Sequence, residues 1–185
     1  MNKEQRIVKA LAFGEAVLAG NKPKGAKVLG KGAFATVYEV AGLAVKVQKH
    51  GIRRKWALRS RAGEVLELIH YRQIESPHLP HVYAFSGDSR GDWVAVLEKL
   101  SKVSRKKRLI LNAVEYAANT AMRDRYVPAS WYAGSWKKAP LPRGQKAGIM
   151  AATKQLAAAG FQVTDVHSGN IMQRRTRIVL TDVVA

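Results

Sequence analysis

The chain has 185 residues, no cysteine, and 32 Lys and Arg against 13 Asp and Glu, a net charge of +19. That length suits one domain with room for two small lobes, disulfides and thiolate metal sites are excluded, and no run approaches the roughly 20 apolar residues that span a bilayer. The charge attracts nucleic acid, nucleotides, acidic proteins and anionic lipid alike, so it narrows the partners without naming one.

Residues 3–19 read as an amphipathic helix, with Ile7, Leu11, Val17 and Leu18 on one broad apolar face. The basic start is interrupted by Glu4 and Glu15, so a helix fits better than a signal peptide, and a cytoplasmic protein is the simplest expectation. In 26–40, apolar and β-branched residues flank a Gly-x-Gly, which predicts two strands joined by a glycine turn. "LAVKVQ" (43–48) is a third strand. Residues 57–73 predict a helix with Val65, Leu66, Leu68, Ile69 and Ile74 as its apolar positions, broken at Pro77 and Pro80 before another strand. "DWVAVLEKL" (92–100) predicts the next strand. The second half is expected to be mostly helical, over 109–125 and 145–159, with a long loop at 126–145 that holds Trp131 and Trp136. Gly160 caps the second of these helices, and a strand pair follows around 171–181. Basic residues cluster at 49–61, 102–108 and 173–177, where solvated faces are the ordinary reading.

Four pieces of this layout bear on chemistry. A glycine turn over Gly30, Lys31 and Gly32, running on to Val37, lets backbone N–H groups approach phosphates without side-chain clash. Lys46 lies inside an apolar strand, on the face opposite Val45 and Val47. It is either an ordinary solvent-facing lysine or a bridge to the phosphates of a nucleotide. Glu64 and Glu67 lie three apart on nearly one helix face, so either can pair with Lys46; Glu67 is favoured by its spacing to the turn that follows. In the closing segment, Asp165 follows a helix and can orient a hydroxyl. Asn170 and Asp182 offer oxygen ligands of the kind a hard cation such as Mg²⁺ prefers.

In this order the pieces resemble a protein-kinase-fold phosphotransferase. "LGKGAFATVYEV" resembles the glycine-rich loop, "LAVKV" the lysine strand, "AVLEKL" the hinge, "VTDVHSGNI" the catalytic loop, and "LTDVVA" stands in place of the Asp-Phe-Gly element. "DVHSGNIM" followed by "TDVV" is similar to the early serine/threonine protein kinases of short-tailed lytic bacteriophages. The resemblance covers roughly 26–185. It implies an α+β, minimal bilobal kinase-like fold: an N-terminal helical extension (1–25), a small lobe (26–100) of antiparallel sheet and one helix, and a reduced helical large lobe (101–185) without activation loop or later helices. It also implies ATP and Mg²⁺ as cofactors. Gly30, Lys31, Gly32, Val37, Ala44, Lys46, Glu98 and Leu100 would meet the nucleotide, with the backbone of Glu98 to Leu100 at adenine. Lys46, Glu67, Asp165 and His167 would form the catalytic set, and Asn170 and Asp182 would hold the metal.

The departures from the pattern are specific. Val163 and Thr164 replace the His-Arg that usually precedes the catalytic Asp, and Val183 and Val184 replace Phe-Gly. His167 stands where a Lys usually steadies the γ-phosphate; it either donates a hydrogen bond there or braces the loop. The resemblance thus implies ATP-dependent phosphorylation of Ser or Thr in host proteins during phage takeover. The positive charge favours acidic or nucleic-acid-associated targets. The competing expectation is a catalytically weak kinase-fold protein that binds nucleic acid or a host factor directly. A small-molecule kinase of the aminoglycoside type fits less well, because His-Gly does not precede Asp165 and the charge repels cationic substrates.

Overall fold

The computed structural model describes residues 1–21, 23–32, 35–49, 62–88, 91–103, 143–161 and 170–181. The chain divides into two compact units, Met1–Gln73 with His81–Lys99, and Ile74–Pro80 with Leu100–Ala185.

In the first unit, helix α1 (Lys3–Leu18) starts at a capping box. The Asn2 side chain accepts from Gln5 N–H at 2.9 Å, and the Gln5 side chain accepts from Asn2 N–H at 3.0 Å, so orphan helix-end donors are satisfied reciprocally. Five antiparallel strands follow: β1 (Lys27–Lys31), β2 (Ala35–Val40), β3 (Leu43–Gln48), β4 (Val82–Gly87) and β5 (Trp93–Leu97), ordered β1-β2-β3-β5-β4. The β2–β3 hairpin closes through Ala41 (φ 51°) and Gly42 (φ 77°), the paired positive φ of a turn that matches strand twist. Arg6 fastens α1 to this turn by donating Nε–H to the Ala41 carbonyl at 2.7 Å.

Both faces of the sheet are covered. On one, Val40, Leu43, Val45, Val47, Val94 and Val96 pack with Ala10 of α1. Gly14 lets the helix come close, since a methyl there would lie 2.3 Å from Val94 Cγ1. On the other face, helix α2 (Ala62–His70) sets Ala62 and Leu66 against Trp93 and Ala95. The side chain of Lys46, one residue out of phase with Val45 and Val47, therefore faces α2.

Helix α2 ends three residues before the expected 73, and 57–61 lie outside the described residues. Tyr71 N–H still reaches Glu67 O, but Arg72 takes a positive φ of 57° and Gln73 N–H reaches back to Leu68 O. This left-handed cap ends the helix well ahead of Pro77. Ile74, expected on the apolar face of α2, instead belongs to the second unit, where it is buried.

The described part of the second unit holds β6 (Ser101–Lys102), helix α3 (Arg143–Ala158), β7 (Ile171–Arg174) and β8 (Arg177–Leu180), with the antiparallel sheet order β6-β7-β8. The strand pair and the Gly160 cap stand as expected: Gly160 has φ 83°, and Phe161 N–H bonds Leu156 O. Helix α3 begins at Arg143, two residues ahead of the expected start at 145, so the last residues of the expected long loop are helical. Strand β6 was not expected. The predicted helix at 109–125 and the rest of the loop, with Trp131 and Trp136, lie outside the described residues. Helix α3 buries Ile149, Ala152, Thr153 and Leu156, a helical stripe, and the buried Thr153 hydroxyl is satisfied by Ile149 O at 3.0 Å.

The outer edge of β8 is closed by groups that belong to no strand. Ile178 N–H donates to Gln145 Oε1, and Gln145 Nε2 donates to Thr176 O, each at 3.1 Å. Leu180 N–H donates to His78 O, and His78 Nδ1 meets Ile178 O, each at 2.8 Å. The architecture of the described residues is α+β, and the antiparallel sheet with one helix expected for residues 26–100 is present. Among the described residues, no helix is long and apolar enough to cross a membrane.

Candidate functional site

Lys46 is the charged group whose placement is least ordinary. It pairs with Val37 on β2 and Ala95 on β5, in the middle of the sheet. With both sheet faces covered it is only 7% exposed, so the solvent-facing reading fails. Its Nζ stands 5.6 Å from the centre of the Trp93 ring. An ammonium is withdrawn from water at a cost unless something compensates the charge, and the face of the Trp93 indole contributes to that compensation. Val37 and Ala44 flank it on the same sheet.

The glycine turn begins beside this lysine's partner strand. Gly30 lies opposite Val37 and Lys31 opposite Thr36, with an irregularity in β1 between Val28 and Gly30. Gly32 N–H closes the turn on Ala35 O at 2.8 Å. Gly30 does not have a positive φ, and no described atom lies within 4 Å of a methyl built on it. Neither backbone conformation nor packing among the described residues explains a glycine at that position.

Glu64 and Glu67 both lie on the exposed side of α2. No hydrogen bond or ion pair is made by the Glu67 carboxylate among the described residues. Glu98 is tied into the sheet: its N–H donates to His81 O at 3.0 Å, and its carboxylate accepts from His81 N–H at 2.9 Å. Lys99, next along, forms an ion pair with Glu39.

In the second unit, Asn170 opens the β7–β8 hairpin at the end where Ile171 pairs with Leu180. Its carbonyl accepts two hydrogen bonds from Thr181, one from N–H and one from Oγ1, both at 2.9 Å. Thr181 immediately precedes Asp182 in the chain. Asp165, His167 and Asp182 lie outside the described residues. Among the described residues, no group of three or more His, Asp or Glu gathers in a way that could hold a metal.

His78 is 3% exposed and fixes the segment between the two prolines to β8. Arg174 holds the same segment, donating to Pro77 O and Leu79 O at 3.0 Å each. Burial pushes the His78 pKa below its ordinary value, and Arg177 and Arg174 push the same way against the bond to Ile178 O. A Cβ on Gly148 would lie 2.3 Å from His78 Nε2, so α3 seats directly on the imidazole.

Three residues with positional roles escaped the sequence reading: Trp93, Thr181 and His78. Only Trp93 had a usable signal, an aromatic at the start of a strand whose alternation puts it on the same face as Ala95. The others act through backbone partners that no spacing rule reveals.

No family model matches the sequence, and no curated protein matches it. Among solved structures, the chain is similar to the PknI kinase domain of M. tuberculosis, at 18% identity and a TM-score of 0.46, over 86% of this chain and 58% of that one. It is similar to a chain of the CAK complex from Chaetomium thermophilum bound to ATP-γ-S, at 16% identity and a TM-score of 0.44, over 85% of this chain and 45% of that one. It is also similar to PpkA-294 in its apo form, at 19% identity and a TM-score of 0.44, over 84% and 56%. The chain thus spans about half the length of these structures.

Proposed function

We propose that this protein is an ATP-dependent serine/threonine protein kinase of a bacteriophage, acting on host proteins during takeover. Gly30, Lys31 and Gly32 would lie over the phosphates, and Lys46 would orient them with Glu67 as its partner. Val37, Ala44 and the Glu98–Leu100 backbone would contact the base and its surroundings. Asp165 would orient the attacking hydroxyl, and His167 would lend the γ-phosphate a hydrogen bond.

The donor set suits Mg²⁺: an amide oxygen from Asn170 and a carboxylate from Asp182 are hard ligands. When bound with ATP, the ion would neutralise phosphate charge. The protein's own work is placement and electrostatics rather than covalent chemistry.

The observation that supports this most is the lock between Asn170 and Thr181. Both Thr181 donors converge on the Asn170 backbone carbonyl, so the hairpin ties the residue that carries the amide to the residue just before Asp182.

The test uses labelled ATP·Mg²⁺ and a lysate of the bacterial host. Label is expected to pass to lysate proteins with the native chain and not with Asp165→Ala. Equal labelling by both, or no transfer with salt-sensitive nucleic-acid binding by both, would replace the kinase reading with that of a binding protein.

A further inference from the structure

We propose that Trp93 is a positioning residue for Lys46, an aromatic shelf that holds the ammonium and links it to α2. The purpose of the shelf rests on the reading of Lys46 as a phosphate ligand; its existence does not. Gln48 pairs with Trp93 and Lys46 with Ala95, so the indole is the diagonal neighbour of Lys46 on the α2 face. Ala95, directly opposite, is small enough to let the lysine lean toward the ring. The ammonium then lies 5.6 Å from the ring centre, within the range where the negative face of an indole attracts a cation. Lys46 is 7% and Trp93 4% exposed, and the attraction strengthens when both partners are withdrawn from water.

The shelf is itself held from two sides. Phe85 of β4 stacks on the indole, with centroids 6.2 Å apart and planes at 26°. Gly63 of α2 lies so close that a methyl there would be 2.6 Å from Trp93 Nε1. Displacing α2 would therefore disturb the indole, and with it the ammonium. An aromatic face attracts charge without engaging acceptor atoms, so it is compatible with lysine N–H groups meeting phosphate oxygens. A carboxylate from the exposed edge of α2 would add to this restraint rather than supply it alone.

The test reads Lys46 directly. In protein carrying ¹³Cε-lysine, the Lys46 resonance is assigned by its loss in Lys46→Arg. Its ε protons are expected upfield in the native chain, from the indole ring current, and back at the ordinary position in Trp93→Leu. Trp93→Phe, which keeps a ring, is expected between the two. In a parallel cycle, Trp93→Phe weakens ATP·Mg²⁺ binding severalfold, Trp93→Leu weakens it about tenfold, and neither has a further effect in a Lys46→Ala background. An unshifted native resonance overturns the proposal without any Trp93 variant having to fold. Fully additive losses in the cycle overturn it as well, because they would mark Trp93 as a packing residue alone. A shifted resonance in a chain that binds no ATP supports the shelf and overturns the nucleotide reading.

Discussion

Replacing Gly30 by alanine separates a glycine kept for folding from one kept for a ligand. Gly30 lies in β1 opposite Val37 without a positive φ, and an added methyl meets no described atom within 4 Å. The fold should therefore accept alanine and gain the roughly 0.5–1 kcal/mol by which glycine weakens a strand interior. That gain corresponds to a rise in Tm of about 1–4 °C. If the bare backbone is there to approach phosphates, the same methyl blocks it. Losing one hydrogen bond to a charged group costs roughly 1.5–3 kcal/mol, or at least about tenfold in affinity. At ATP·Mg²⁺ about 100 times the native Kd, ligand stabilisation of about 2.7 kcal/mol would fall to about 1.4 kcal/mol for a tenfold loss. Thermal melts of both chains with and without ATP·Mg²⁺ measure both quantities in one experiment. The expected result has opposite signs: a more stable apo protein and a smaller ATP-dependent rise. An unchanged ATP-dependent rise would refute the reasoning and leave Gly30 with no role beyond its hairpin.

Thr181→Val removes the Oγ1 bond to Asn170 while keeping the N–H bond; about 1 kcal/mol of stability should be lost, with a larger loss in the Mg²⁺ dependence of ATP binding, read by titrating Mg²⁺ at fixed ATP. Gln145→Leu strips two bonds from the edge of β8 and should lower the urea-unfolding free energy by about 1–3 kcal/mol. His78 has a folded pKa below its ordinary value, so the unfolded chain takes up the proton more readily. Stability is then fully present above the ordinary histidine value of about 6.5 and is lost as pH falls through the lowered folded one. Urea midpoints should fall between pH 7 and pH 5 in the native chain, and this part of the fall should be missing in His78→Gln.

Strands were the most legible part of the sequence. β-branched and apolar runs punctuated by the Gly-x-Gly gave β1 to β3 with little error, because strands bounded by a glycine turn carry that composition. The end of α2 was misplaced because the breaker is Arg72 in a left-handed conformation, a choice made by local backbone bonding rather than by residue type. Strand β6 holds two residues, too few for any periodicity. The burial of Lys46 was illegible for a different reason: alternation fixes its face, but only the packing of α2 and Trp93 on that face tells whether it meets water. Its neighbour Ala44 was placed by the same alternation. The closing pattern of Asp165, Asn170 and Asp182 was conspicuous from spacing. The tie that gives Asn170 structural meaning runs through a threonine side chain and two backbone groups, which spacing does not report.

Helix α1 also bears on how this chain behaves when shortened or extended. Met1 is exposed, and the helix begins at a self-contained cap, so added residues ahead of it should be tolerated. Deleting 1–19 would instead lay bare a contiguous wall of Val40, Leu43, Val45, Val47, Val94 and Val96 on an otherwise highly cationic molecule. A β-rich hydrocarbon surface of that kind invites self-association, so a version trimmed to the glycine turn should be recovered chiefly in the pellet.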